Sequence, residues 1–564
     1  MKILLKNGSV VNVFSEELER ADVLIENGTI IGVGDYSDEP ADKTVDLSGK
    51  FICPGFIDSH IHIESTMLSP IEFSRVTVPH GTTSVVADPH EIANVCGTDG
   101  LRYMLAASEG LPVSVYFVLP SCVPATSFDE AGAVLSADDL APFYSEKRVV
   151  GLGEVMDYPG VLSKNESVIS KIDSAKKHGA IINGHAPLLS GKDLDKYVSM
   201  SIRDDHECSS VEEAKERIRK GQRVMIRQGT AAKNLCDLLP LFDKPWSDRC
   251  LLVSDDKHPA DLLTKGHIDD AVRIAVANGK SPIIAIKMAT INAAEHFHLA
   301  DIGAIAPGYI ADILVLDDLD SVKVRDVYKN GKLVVENGSA LEITEPKVPE
   351  ELENRVRGSF NFKTLCEKDL TVDCNEKRNC NVIKILKGQI LTEKLVCNID
   401  FSRNNGIDVE NDILKIAVVE RHHATGHIGL GFINGAGLKS GAIASSVSHD
   451  SHNLIIIGTN ERDMLVAAEH IRKIGGGLVA VDNEKVICEM PLPIAGLMSD
   501  EKADVCAKQN ENIRNAAHKL GCPTDVEPFM NMSFVSLPVI PHVKLTTLGL
   551  FDVDNFSLIS LFAD

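Results

Sequence analysis

The chain has 564 residues, 44% of them hydrophobic, which is enough apolar material for two or three cored domains and too much length for one. Its 57 basic and 81 acidic residues leave a formal charge of −24 with no basic cluster, which excludes a nucleic-acid groove, since affinity there comes from Lys and Arg neutralising phosphates. No apolar run of roughly 18 residues exists to span a bilayer, the N-terminus lacks a signal core, and the 13 cysteines form no CxxC pair, so a soluble, cytoplasmic protein with reduced thiols is expected. The missing PCxxC element also excludes the small zinc deaminase fold.

In chain order, residues 1–53 alternate apolar and polar positions around Asn7-Gly8 and Asn27-Gly28, both hairpin-type dipeptides. The run Pro54-Gly55-Phe56-Ile57-Asp58-Ser59-His60-Ile61-His62 follows, and two imidazoles spaced i, i+2 on a strand point to the same side. That is a metal-gripping geometry, although two satisfied core imidazoles would share the spacing. Seven further apolar runs of strand length follow, separated by stretches long enough for helices. They are Thr83 to Glu91, Val113 to Pro120, Val149 to Glu154, Ala180 to His185, Ser201 to His206, Arg223 to Gln228 and Cys250 to Asp256. Continuous apolar strands bury both faces, so eight of them predict an α/β fold built on a (β/α)8 TIM-like barrel over residues 54–295. Polar groups at the carboxyl ends of such strands converge on one mouth, and here they are His60, His62, Glu154, His185, His206 and Asp255.

Hairpin texture returns in Ile302 to Leu316 and Val324 to Val335, so residues 296–345 are expected to pair with 1–53 in a small β-sandwich flanking the barrel. The acidic, Pro-containing stretch 346–360 reads as a linker. Residues 361–564 mix strand-like Leu454 to Ile457 with a helical stretch near Asp463 to Ile474 and form a C-terminal α/β domain. Its Gly429 to Gly441 segment misses the GxGxxG spacing and has no GKS or GKT, so it is no phosphate cradle.

The ordered polar set resembles the amidohydrolase superfamily of metal-dependent hydrolases over residues 1 to 345. The resemblance implies that His60, His62 and Asp255 hold the more buried of two divalent cations, that His185 and His206 hold the other, and that Glu154 bridges them. Many members use a carboxylated Lys at the bridging position, so Glu154 argues against the Lys-dependent ring-opening branches. Imidazole and carboxylate ligands without thiolate suit Mn, Fe or Zn, and the family suggests Mn or Fe. The strings HIHIEST (60–66), VVADPHEIANV (85–95), GLGEVM (151–156), INGHAP (182–187), SDDKHP (254–259) and GLGFINGAGLKSGAIASSVSHDSHN (429–453) together look like the bacterial-type adenine deaminase family, which extends the resemblance over nearly the whole chain. That implies a small-molecule substrate, adenine, hydrolysed to hypoxanthine and ammonia for purine salvage. It also implies a homodimer or larger homo-oligomer.

By analogy Asp255 takes the proton of an attacking hydroxide, a ring nitrogen gains a proton as aromaticity is lost, and the departing amine is protonated later. A second acid is therefore needed. Glu91 ranks ahead of Glu207 and Glu64. Each polar residue also has a plainer reading: Glu154 as a salt-bridged strand end, and His185, His206 and Asp255 as hydrogen-bonding neighbours of ligands. His90 either meets substrate or a third metal, or orients Asp88 or Glu91. Asp256 and His258 are functional or belong to a helix cap. Arg227 meets purine nitrogens or forms a structural ion pair. His449 and His452, with Asp450, Arg421, His422 and His423, line the mouth or a domain interface, or merely satisfy backbone groups inside their own domain. Three rivals stay open: a cyclic amidohydrolase of the dihydroorotase or hydantoinase type, a nucleoside deaminase, and a metal-free scaffold.

Overall fold

The computed structural model describes residues 1–230, 232–387 and 391–563. Its centre is eight parallel strands: β1 (Phe56–Ile61), β2 (Thr82–Ala87), β3 (Ser114–Leu119), β4 (Val149–Val155), β5 (Ile181–Gly184), β6 (Asp204–Asp205), β7 (Arg223–Arg227) and β8 (Cys250–Val253). Ladders join β1 through β5 in order and β6 through β8 in order, and the isolated parallel bridges Ile182↔Ile202 and Ile61↔Asp255 close the ring. β1, β2 and β8 are buried along their whole length, as strands between a packed interior and a coat of helices must be. The sixth strand is shorter than the expected 201–206 run. Asp204 is the reason: its carboxylate accepts from Asn183 Nδ2 at 2.6 Å and Gly184 N–H at 2.9 Å and meets His296 Nε2 at 2.6 Å, so side-chain bonds replace part of the ladder.

The two flanks of the barrel form one nine-stranded sheet. Strand Phe51–Pro54 is its seam, pairing parallel with Lys2–Asn12 and antiparallel with Ile313–Leu316. The sheet folds round its own core, which includes Ile3, Val10, Val23, Ile52, Ile313 and Val315. Stretch 346–360 is not featureless as expected for a linker, because Glu350–Arg357 is an α-helix. Leu352 and Val356, one turn apart, are buried, the helix packs on α1 (His90–Ala107), and Arg355 pairs with Asp99 at 2.7 Å.

The C-terminal region is built on an eight-stranded sheet whose apolar interior packs against helix Glu461–Ile474. Helix α2 (Ala503–Lys519) joins this region to the barrel, lying between strand Lys485–Pro491 and helix Pro259–Thr264, just after β8. Ser499 N–H donates to the Met67 carbonyl at 2.8 Å, beside the loop that follows β1. The C-terminal region therefore sits over the carboxyl ends of the barrel strands, where catalytic groups of this fold gather. Among the described residues no helix is long and apolar enough to cross a membrane.

Candidate active site

Strand alternation carries Asp58, His60 and His62 to one side of β1, and the His60 and His62 rings lie 4.8 Å apart. Glu154 ends β4, with His185 and His206 following β5 and β6 and Asp255 following β8. His62 Nδ1 lies 3.0 Å from the Asp88 carbonyl, which can only accept, so Nδ1 carries a hydrogen and Nε2 is the nitrogen turned inward. That Nε2 is 3.3 Å from both Glu154 Oε1 and Asp255 Oδ1. On the other side of Glu154, Oε2 lies 2.7 Å from His185 Nδ1 and 3.1 Å from His206 Nε2. One carboxylate thus stands between two sets of imidazoles. Burial opposes its charge, but His185 and His206 outweigh burial and hold its pKa well below the carboxylate range. Burial, with His206 and His62 alongside, keeps His60 neutral.

The residues fit divalent cations. His60 Nε2 is buried without a hydrogen-bond partner, and a buried orphan nitrogen facing carboxylates is the environment a cation satisfies. The donor atoms of His60, His62 and Asp255, and those of His60, Glu154 and His206, lie within 4.8 Å of one another.

Neighbours fix these groups in place. Asp88 Oδ2 accepts the Glu154 N–H at 3.0 Å, and a Cβ on Gly153 would stand 2.1 Å from that oxygen, so the glycine permits the approach. Asp255 has φ of 57°, a left-handed conformation uncommon outside glycine, and its Oδ2 accepts from Arg227 Nη1 at 2.9 Å. Arg227 also forks onto Glu207 at 2.5 and 3.1 Å, which leaves Glu207 an engaged carboxylate. Asp58 was missed by sequence reasoning. It accepts from Ser254 N–H at 3.1 Å and meets His267 Nε2 at 2.9 Å, locking β1 to β8; its parity with His60 and His62 was the available signal.

Glu64 Oε1 accepts from Ile92 N–H at 3.2 Å in the first turn of α1, while Oε2 is unpartnered and burial raises the carboxyl to about 7. His90 opens α1, with Nδ1 3.6 Å from both Asp88 Oδ1 and Glu154 Oε1, too far for a hydrogen bond to either. Asp256 Oδ1 is unpartnered, and the helix Pro259–Thr264 is entered through His258 without a side-chain cap, so capping does not account for Asp256. Glu64, Asp256 and His258 line a cavity closed from the other side by Ser445, His449, Phe529 and Phe534 of the C-terminal region.

Glu91 does not take the expected part of proton donor. Its Oε1 accepts from His449 Nδ1 at 2.8 Å and its Oε2 is bonded to His452 Nε2. Ser448 N–H donates to His452 Nδ1 at 3.1 Å, which forces the His452 hydrogen onto Nε2. Burial favours the protonated acid, but His449 and His452 outweigh it and hold Glu91 well below the carboxylate range. It is an ionised acceptor with both oxygens engaged. The reading in which His449 and His452 serve only their own domain fails with the same contacts. Arg421 donates to the Ala495 carbonyl at 3.0 Å, and His422 Nε2 lies 2.7 Å from the Ser451 carbonyl.

Residues 51–334 match the amidohydrolase family, and residues 389–557 match the adenine deaminase C-terminal domain. An adenine deaminase 2 of Carboxydothermus hydrogenoformans is 47% identical over 99% of this chain and 96% of its own length. An adenine deaminase of Desulfatibacillum aliphaticivorans is 46% identical over 99% and 97%, and one of Clostridium acetobutylicum 44% over 99% and 97%. Among solved structures, an enamidase overlays 61% of this chain and all of its own at a TM-score of 0.46 and 20% identity, a likeness too distant to add to these matches.

Proposed function

The chain belongs to the amidohydrolase family and, within it, to the adenine deaminases, and on that premise we propose that the mouth of its barrel hydrolyses adenine to hypoxanthine and ammonia with two divalent cations. The observation that carries the assignment of residues is Glu154, standing between His62 on one side and His185 and His206 on the other. His60, His62 and Asp255 would hold the inner cation, His185 and His206 the outer, and Glu154 would offer an oxygen to each. When bound, the cations lower the pKa of water from about 15.7 to about 7 and so supply a hydroxide at neutral pH. Manganese or iron is the proposed metal: imidazole and carboxylate ligands without thiolate suit Mn, Fe or Zn, and the family resemblance favours the first two.

Asp255 receives the proton of the attacking hydroxide and passes it to the departing amine, with Arg227 fixing the orientation of its second oxygen. The C-terminal region closes over the cavity beside Asp256 and Glu64 and excludes water from the bound base. A ring-opening reaction on a cyclic amide is disfavoured by Glu154, which stands where the Lys-dependent branches carry their modified Lys.

Ammonia release from adenine by manganese-replete protein is the test. Release by the wild type supports the reading; a metal-replete protein that liberates no ammonia but opens a cyclic amide would overturn it.

A further inference from the structure

Attack on the amine-bearing ring carbon leaves the adjacent ring nitrogen in need of a proton, and Glu91 has none to give. The neighbour that bears one is His449. Its Nδ1–H donates to Glu91 Oε1 at 2.8 Å, and its ring stacks on Phe534 with centroids 4.6 Å apart and 13° between planes. It lines the cavity opposite Glu64 and Asp256. Burial alone would strip the His449 proton, but Glu91, then Asp256 and Asp450, raise its pKa to about 9. His452 is the opposite case. Burial pushes it down to about 4, and its Nδ1 is occupied by Ser448 N–H, so it is a neutral donor that pins Glu91.

Resting on the deaminase reading, we infer that His449, supplied by the C-terminal region, is the acid that protonates the ring nitrogen of adenine, held by Glu91, which is in turn held by the positioning residue His452. As the hydroxide oxygen bonds to C6, the C6=N1 π pair takes the His449 proton and the imidazolium becomes neutral imidazole. Asp255 carries the hydroxide proton to N6, the C6–N6 bond breaks, and ammonia leaves. The proton that water lost on ionising restores His449, so the sum is adenine plus water giving hypoxanthine plus ammonia. The barrel, with all six proposed metal ligands, is incomplete for this step without the C-terminal region.

The groups facing His449 are Glu91 from α1, Asp256 and His258 from the loop after β8, Asp450 and His452 from its own loop, and the apolar Phe534. The test uses full-length, manganese-loaded protein and follows kcat and KM against pH for wild type, H449Q and H452N, with metal content alongside. Wild-type kcat falls as pH rises through about 9, where His449 loses its proton. In H449Q kcat drops about 10²–10³-fold, KM moves less than about threefold, metal content holds, and that basic limb disappears. H452N loses about tenfold and its limb moves to lower pH, because a looser Glu91 stabilises the imidazolium less. An H449Q enzyme that keeps both its limb and a kcat within about threefold of wild type would overturn the inference. If H449Q does not fold, H452N decides alone: an unmoved limb overturns it. Failure of the deaminase reading looks different, since wild type itself would then release no ammonia.

Discussion

Two clusters of histidine and carboxylate lie side by side at the mouth of the barrel, and they differ in where their hydrogens go. Around Glu154, His62 gives its Nδ1 hydrogen to the Asp88 carbonyl and turns its Nε2 inward, while His60 Nε2 has no hydrogen-bond partner among the described residues. Around Glu91, the Ser448 N–H claims His452 Nδ1, so the nitrogen facing the carboxylate carries a hydrogen, and His449 presents another. Residue types alone would make either cluster a metal nest, and the donor atoms of Glu91, His449 and His452 are as closely grouped as those of the first set. One backbone contact, behind His62 in the first cluster and behind His452 in the second, separates them. A carbonyl there leaves a lone pair for a cation; an N–H there leaves a proton for a hydrogen bond.

Chelation is the harshest test of that difference. Removing the metal abolishes deamination, and titrating manganese back restores it fully at two equivalents per chain in wild type and in H452N alike. A third tightly held equivalent that H452N loses would break the comparison, because the Glu91 cluster would then be a metal site. Glu154→Gln comes next. The amide keeps the shape but exchanges one of the two ligand oxygens for an NH2 group, so one of the two positions loses its carboxylate ligand, metal content falls and kcat drops by more than the ~10–100-fold that residues orienting a ligand cost. Elemental analysis beside ammonia release checks both parts.

Asp88→Asn sharpens the point at lower cost. Asp88 touches Glu154 through the backbone, its Oδ2 accepting the Glu154 N–H at 3.0 Å, and an amide turned the wrong way would set N–H against N–H. The expected loss is about 10–100-fold in kcat with most of the metal retained. A fall in metal content as steep as that of Glu154→Gln would place Asp88 among the ligands instead.

Much of the first cluster was legible because the signals are local. The six proposed ligands lie at the ends of five apolar runs, and strand parity carries His60 and His62, which share one, to one side whatever the rest of the chain does. The second was hidden for the converse reason. Glu91 and His452 are 361 positions apart, and no spacing rule spans a contact made by docking one region on another. Glu91 ranks slightly ahead of Glu207 and Glu64 as proton donor only by its place after a strand-end turn, which says nothing of what descends on it from the C-terminal region. The helix Glu350–Arg357 escaped because only Leu352 and Val356 mark its buried side, too few for a period to register. Asp204 shortened β6 through side-chain bonds that an apolar-run reading ignores.

The mildest prediction bears on what the C-terminal region contributes besides hydrogen bonds. Phe534 lies flat against His449 and also lines the cavity, so it sets the plane in which the imidazole meets the base. Phe534→Leu keeps an apolar wall but loses the flat stack, a contact worth about 0.5–1.5 kcal/mol, or roughly 2- to 12-fold in kcat/KM. Metal content should not change, and the basic limb should stay near its wild-type position, because no charge facing His449 has been altered. A limb displaced as far as in H452N would mean that the ring is held at its ionisation by packing rather than by Glu91, and the distinction drawn between the clusters would then rest on the metal side alone.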